Sequence, residues 1–124
     1  MVHEDFRKAV LRDDDALDRY AAIFGALSEP IRLDILLRIA GRQELGCTIL
    51  DDTLPISKST ISYHIKILYQ AGLIEVRKEG RYYFYRLRSD VIEEMAPGLL
   101  ERMLGARAAT PARQRLAATT LAAV

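Results

Sequence analysis

The sequence predicts a mainly α-helical fold of about five helices with one small, two-stranded β-hairpin. One observation is that apolar residues recur at helical spacing in several segments, which Ser, Pro and Gly separate. A second is that this period changes to two within residues 74–87, where aromatic and β-branched residues flank Glu79-Gly80. A chain of 124 residues is long enough to bury the core of one such domain.

The first two predicted helices meet at a Ser-Glu-Pro step. Residues 15–27 form an amphipathic segment whose N-terminal aspartates suit the positive end of the helix dipole. We expect Ser28 to cap the next helix and Pro30 to lie in its first turn, where no N–H partner is needed. Gly41 is the expected end of this second helix.

A short helix, a tight turn and a longer helix are predicted next. The short helix covers residues 48–54 and ends before Pro55. Ser57 caps the longer helix, residues 58–71, and Gly72 closes it. Two helices joined in this way and followed by a hairpin are the order of elements in a winged helix-turn-helix.

The remaining segments complete the predicted domain organisation. A last helix begins near residue 90, and Pro97-Gly98 should kink or restart it. We expect residues 15–104 to form the winged helix-turn-helix domain, with dimerisation helices at both ends. Residues 1–14 would be an arm or short helix that contributes to dimerisation, and residues 105–124 a weakly ordered Ala/Arg-rich tail.

Basic charge is concentrated in one quarter of the chain. Residues 1–57 hold seven Lys and Arg against eleven Asp and Glu, a net charge of −4. Residues 58–88 hold seven against two, a net charge of +5, and residues 89–124 hold four of each. On charge alone, a solvated face and a footprint for an anionic polymer are both open interpretations.

The outer face of predicted helix 58–71 favours the second interpretation. Exposed helix faces are normally filled with Glu, Lys, Ala and Gln, whereas this one carries hydroxyls, a phenol and lysines. Short polar side chains let a helix approach the major groove, and lysines reach phosphates or guanine acceptors. The candidate DNA-contacting residues of this helix are Lys58, Ser59, Thr60, Ser62, Tyr63 and Lys66.

Two further groups extend this candidate set. His64 flanks the apolar face of the same helix, so a packed residue is the favoured interpretation and a DNA contact the weaker one. The tip of the hairpin is basic and would touch the flanking DNA backbone as a wing. Its candidate phosphate contacts are Arg77, Lys78 and Arg81.

Several stretches of this chain resemble the ArsR/SmtB-type repressors. Residues 27–36 (LSEPIRLDIL) are similar to the family's entry into its second helix, and residues 57–68 (SKSTISYHIKIL) to its recognition helix. The stretches similar to its wing are residues 71–74 (AGLI) and 79–87 (EGRYYFYRL). Together the resemblance covers roughly residues 15–104.

The resemblance implies a homodimer that binds an imperfect inverted repeat in a promoter. Family members contact DNA at positions that match Lys58, Ser59, Ser62 and Tyr63. A histidine is usual at the Tyr63 position, so the base preference of this chain is expected to differ. The family also implies that the first and last helices form the dimer interface.

Apolar residues on those two helices support the expected dimer. They exceed what one small three-helix core can cover, and an uncovered apolar patch marks an interface. The candidate interface residues are Phe24, Met95, Leu99, Leu100 and Met103.

The sensor positions of metal-binding relatives are not filled by ligands here. The two thiol positions of the short helix fall on Gly46 and Thr48, and Cys47 falls on the apolar position between them. Zinc-binding relatives use Asp and His on the last helix, but no histidine follows His64. The cluster around His3 lies at a terminus, which makes a poor preorganised site. We therefore expect no metal and no cofactor.

Cys47 has two interpretations. The favoured one is a small buried hydrophobe, because no Lys or Arg lies within three residues to lower the pKa of its thiol. The alternative is a redox-responsive repressor in which Cys47 forms a mixed or intermolecular disulfide.

The sequence therefore predicts a double-stranded-DNA-binding transcriptional repressor that a non-metal signal releases. A small-molecule effector, a redox signal and no effector at all remain open, and a winged-helix protein-protein interaction module is the alternative function.

An enzyme is not expected, since one Cys, two His and no Gly-rich phosphate loop leave no catalytic constellation. The single Cys, the lack of an apolar run near 18 residues and the charged N-terminus predict a cytoplasmic location without membrane contact.

Zinc or arsenite should leave the DNA affinity of this protein unchanged. Gly46 and Thr48 offer no thiolate, and soft metals need such ligands in these positions. The measurement is a titration of either metal into a protein–DNA complex, followed by fluorescence anisotropy. A stoichiometric metal site that weakens DNA binding would contradict this alignment.

Overall fold

The structure, a computed structural model, describes residues 14–109. The expectations for residues 1–13 and 110–124 lie outside the described residues. The fold is mainly helical with a small antiparallel sheet, as predicted. Its elements are α1 (Asp14–Leu27), α2 (Pro30–Ala40), β1 (Leu45–Gly46), α3 (Cys47–Thr53), α4 (Lys58–Gln70), β2 (Ile74–Glu79), β3 (Tyr82–Leu87), α5 (Ser89–Met95) and α6 (Leu99–Ala109).

The cap of α2 is Glu29, and the prediction that Ser28 caps this helix is wrong. Because Pro30 occupies the first turn, Glu29 takes the N-cap position, and its carboxylate accepts from the backbone N–H groups of Ile31 and Arg32. The Ser28 hydroxyl instead donates to the carbonyl of Gly25 at 2.7 Å, which closes the preceding helix.

The boundaries of α4 follow the predicted signals. Ser57 is its N-cap, and the Ser57 hydroxyl accepts from the backbone N–H of Thr60 at 3.2 Å. After the helix, Gly72 adopts a φ of 78°, a left-handed conformation that a residue with a Cβ rarely adopts. This reversal sends the chain directly into β2.

The predicted hairpin forms, and a third strand joins it. The sheet order is β1-β3-β2, with both pairs antiparallel. In β1, Leu45 pairs with Tyr85 and Gly46 with Phe84. A strand of two residues has no readable period, which is why the sequence did not predict it.

Pro97-Gly98 separates two helices rather than kinking one. Gly98 has a φ of 82°, so the chain turns there and restarts as α6. The described residues therefore hold six helices where about five were predicted. The last of them continues to Ala109, five residues into the segment predicted to be a weakly ordered tail.

The core is centred on α2, whose apolar face is fully buried. Residues of every other helix and of the sheet pack around it. The fully buried large side chains are Ile23, Ile31, Ile35, Leu36, Ile39, Leu45, Leu50, Leu68, Leu73 and Ile92. Within residues 14–109 no helix is both long and apolar enough to cross a membrane.

Leu36→Ala should lower the free energy of unfolding by about 2–5 kcal/mol, because it leaves a cavity at the centre of this core. Urea denaturation at one fixed protein concentration measures the change. Leu37→Ala is the matched control, since Leu37 is only half-buried on the same helix and should cost less. Equal losses for the two variants would contradict the described packing of α2.

Candidate nucleic-acid interface

The outer face of α4 displays most of the predicted DNA-contacting residues to solvent. Tyr63 is 60% exposed, the most exposed of its large apolar side chains. Thr60 is half-buried, and its hydroxyl lies 2.8 Å from that of Ser57, so it belongs to the cap. The exposed members of the set are Lys58, Ser59, Ser62, Tyr63 and Lys66.

His64 lies on the opposite, inner face of α4. It is 7% exposed, and its Nδ1 atom is 3.2 Å from Nη1 of Arg32 on α2. Burial lowers the pKa of His64; Glu29 opposes this effect and Arg32 adds to it. The position agrees with a packed residue, and His64 does not belong to the exposed face of α4.

The strands of the wing present their residues alternately to two sides. Lys78 faces α4, and its Nζ atom lies 5.7 Å from the centre of the Tyr83 ring. Arg81 is exposed at the tip, next to Gly80, with its guanidinium 6.0 Å from the Tyr82 ring. Gly80 has a φ of 61°, which permits the tight reversal between the strands.

Arg77 faces the other side and is engaged by carboxylates. Its Nη2 and Nε atoms donate to Glu44 at 2.6 and 3.0 Å, and its Nη1 atom donates to Glu79 at 2.7 Å. The guanidinium also lies 4.6 Å from the centre of the Phe84 ring. These bonds hold the pKa of Glu44 below its ordinary value.

The predicted role of Arg77 as a phosphate contact therefore has no support in its surroundings. A bidentate Arg–carboxylate pair would have to break before Arg77 could bind a phosphate. Instead Arg77 fastens the wing to the segment before β1. This pair could not be predicted from local sequence patterns, because Glu44 is 33 residues away from Arg77 along the chain.

A groove separates α4 from the wing. Its volume is about 540 Å³, and it is lined by Lys66 on the α4 side and by Lys78 on the wing side. Its floor includes Tyr85, and burial raises the pKa of Tyr85 to about 12. Sequence reasoning missed the two exposed phenols of this groove, Tyr69 and Tyr83, although each lies in a predicted element and Tyr83 pairs with Lys78 across the hairpin.

The candidate dimer residues are divided between surface and core. Phe24 is 59% exposed, and Leu17 and Tyr20 are exposed on the same side of α1. Leu100 is buried in the core of this one chain. Met95, Leu99 and Met103 are partly buried against that core, and Leu104 of α6 is exposed.

Cys47 is half-buried at the start of α3, where its Sγ atom accepts from the backbone N–H of Tyr83 at 3.4 Å. Gly46 lies just before it in β1, and Thr48 is exposed just after it. Across the described part of the chain, no group of three or more His, Cys, Asp or Glu side chains could hold a metal ion.

Comparison with known proteins places this arrangement among transcriptional regulators. A helix-turn-helix domain family matches residues 27–77. The chain is 41% identical over 85 residues to an uncharacterized HTH-type transcriptional regulator of Bacillus subtilis, covering 67% of this chain and 84% of that one. It is 31% identical over 90 residues to the arsenical resistance operon repressor of the same organism, covering 73% and 82%.

Solved structures of known proteins also resemble this chain in fold. HlyU from Vibrio cholerae superposes with a TM-score of 0.61 at 30% identity, covering 75% of this chain and 97% of that one. An ArsR-like transcriptional regulator from Rhodococcus sp. RHA1 gives 0.59 at 33% identity, covering 86% and 92%. The fold and the relatives define a winged helix-turn-helix protein that binds DNA and regulates transcription. Within that class, the chain belongs to the ArsR family.

Proposed function

We propose that this protein is a repressor that binds an imperfect inverted repeat in promoter DNA as a homodimer. The observation that carries the proposal is the exposed face of α4, where hydroxyls, a phenol and lysines stand beside a basic wing. The arsenical resistance operon repressor among its relatives supports repression as the outcome of binding. We also propose a cytoplasmic location, as predicted from the sequence.

In this proposal, α4 contacts the bases of the DNA and the wing contacts its backbone. Ser59, Ser62 and Tyr63 project from the first turns of α4, where side chains reach base edges in a major groove. Lys78 and Arg81 belong to the wing, where the DNA backbone is within reach. Lys58 and Lys66 add cations at the two ends of the α4 face.

The dimer would use the exposed apolar side chains of α1 and α6. Leu17, Tyr20 and Phe24 make a stripe on α1, and Leu104 is exposed on α6. A stripe of this kind on a small domain is stabilised when a second copy covers it. The half-buried Met103 extends the apolar surface toward the core.

We further propose that a signal other than a metal releases the DNA. Gly46 and Thr48 stand where thiol ligands stand in metal-sensing members of the family. The nature of the signal would follow from the genes that the protein controls.

Mapping of bound DNA across the genome of the host tests the proposed function. We expect binding sites that share an inverted repeat and lie in promoters. The alternative of a protein-protein interaction module would instead give no salt-dependent shift of any duplex, and that result would contradict the proposal.

The protein should be a dimer in solution, and Phe24→Glu should convert it to a monomer. A charge at Phe24, the most exposed side chain of the apolar stripe of α1, would have to be desolvated on association. Light scattering at micromolar concentration measures the mass, and Arg42→Glu, an exposed change after α2, is the control. A monomeric wild-type protein would contradict the proposed dimer and the inverted repeat.

Specificity and affinity should separate between α4 and the wing. Ser62→Ala or Tyr63→Ala should cost on the order of 1–3 kcal/mol on a selected operator and little on random DNA, because base contacts carry sequence information. Arg81→Ala should weaken binding to both DNAs. It should also make the slope of log K against log salt shallower by nearly 2 units, since each lost phosphate contact removes about 0.9 and a dimer loses two.

Arg77→Ala is the matched control for Arg81→Ala. Its guanidinium is engaged by Glu44 and Glu79, so the salt slope should stay as in the wild type. Anisotropy titrations over a series of salt concentrations measure both slopes. A slope change for Arg77→Ala equal to that for Arg81→Ala would contradict the assignment of these two residues.

A further inference from the structure

Arg32 is a buried arginine on α2 whose guanidinium joins two other helices. Its Nε atom donates to the carbonyl of Ala26 at 2.7 Å and its Nη2 atom to that of Gly25 at 3.2 Å, both at the C-terminal end of α1. Its Nη1 atom lies 3.2 Å from Nδ1 of His64, on the inner face of α4. One side chain thus binds two carbonyls at the end of α1 and reaches the recognition helix.

The contact between Arg32 and His64 requires a neutral imidazole. A guanidinium has only donors, so Nδ1 of His64 must accept and the ring proton must be on Nε2. The pKa of His64 is lowered by burial first, Glu29 raises it, and Arg32 lowers it further. The described geometry is therefore that of the uncharged ring.

The groups around His64 show what protonation would do. Glu29 is the nearest carboxylate, with Oε2 4.0 Å from Nδ1, and it already accepts two backbone N–H groups as the cap of α2. On its own helix His64 meets the edge of the Tyr63 ring, 5.2 Å between centroids. From α2 it meets the carbonyl-bound Arg32 guanidinium, while α3 and β2 bring the apolar Leu50 and Ile74 to the core beneath α4.

Protonation would place two cations within hydrogen-bond distance of each other. Arg32 would lose its acceptor, and the imidazolium would be drawn toward Glu29, which would compete with the cap of α2. Both changes act on the contact that joins the end of α1 to α4.

We propose that Arg32 and His64 are a pair of positioning residues that fixes α4 relative to the end of α1, and that protonation of His64 weakens DNA binding. The inference rests on the proposed function, in which α1 carries the dimer surface and α4 the DNA contacts. Phe24 of that surface lies two residues before Ala26, and Tyr63 precedes His64 directly. The pair therefore links the ionisation of His64 to the distance between the two α4 helices of the proposed dimer.

The sign of the pH dependence distinguishes this role from a direct DNA contact. A histidine that contacted phosphate would gain a charge as the pH falls, and DNA would bind more tightly. A positioning histidine that must be neutral gives the opposite sign. Stability should follow the same direction: because the pKa of folded His64 is below the ordinary 6.5, its contribution is complete above that pH and is lost as the pH falls from 6.5 to the folded value.

The experiment measures DNA affinity between about pH 7.5 and pH 5.5 at constant ionic strength, across the range in which histidine titrates. The probe is a fluorescein-labelled duplex that the wild-type protein has selected from a random-sequence pool. We expect the affinity to fall on acidification, with a slope of up to about one proton per protomer. His64→Asn should bind at the upper pH within a few-fold of the wild type and give a flat profile, since its amide oxygen can accept from Arg32 without titrating.

His3→Gln is the matched control, because His3 is the other of the two histidines in the chain. This variant should keep the wild-type pH profile. It also leaves His64 as the one imidazole, so ¹H–¹⁵N spectra of its ring report the Nε2–H tautomer and the pKa directly, even if His64→Asn fails to fold. We expect a pKa below 6.5 that falls further when the duplex binds.

A DNA affinity that is unchanged or that rises on acidification would overturn the inference, as would a rise in the pKa of His64 on binding. In either case the proposed function would stand, since DNA would still be bound. Absence of DNA binding at every pH would instead contradict the proposed function.

Discussion

Burial of α2 is the constraint on which the other elements depend. Its apolar face fills the centre of the core, so its two buried charged residues, Arg32 and Asp34, cannot be satisfied by bulk water. Arg32 is bound by carbonyls of α1 and by His64 of α4. Asp34 accepts from Arg38 on its own helix and from Arg107 of α6. Within the described residues no buried side-chain N or O atom lacks a hydrogen-bond partner. The polar groups of α2 thereby fix the positions of α1, α4 and α6, which carry the proposed dimer and DNA surfaces.

The features that the sequence predicted correctly are those set by local chemistry. The cap at Ser57, the reversal at Gly72 and the aromatic hairpin each depend on a few neighbouring residues. The features that it missed depend on contacts between distant segments. Strand β1 exists because Leu45 reaches Tyr85, and the burial of Leu100 depends on how α6 returns to α2. The same division holds for the site: helical spacing and local residue types predicted the exposed face of α4, whereas the carboxylates around Arg77 belong to the tertiary structure.

Strand β1 also brings the segment before α3 against the wing. Gly46 is paired with Phe84, and a Cβ atom at Gly46 would lie 3.4 Å from Cε1 of that ring. A side chain here would therefore meet the aromatic surface of the wing. Cys47 turns toward the same strand, where its sulfur accepts from the backbone of Tyr83. The segment before α3 therefore attaches the wing to the helix-turn-helix in this chain.

The ion pairs of Arg77 with Glu44 and Glu79 reduce the electric field of the wing at long range. Arg88 is similarly held by Asp90, with Glu75 3.8 Å away. An ion pair is a dipole, and its field decays with distance more steeply than that of a single charge. Two of the paired carboxylates, Glu44 and Asp90, lie outside residues 58–88. The net charge of that segment is therefore larger than the charge that the segment and its partners together present to a distant molecule. The long-range field should come from exposed cations outside these pairs, which include Lys58, Lys66, Lys78 and Arg81. Two of them, Lys66 and Lys78, line the groove between α4 and the wing. In the field of an approaching polyanion, the protein would experience a torque that turns the side with α4 and the wing toward the polyanion before any contact is made.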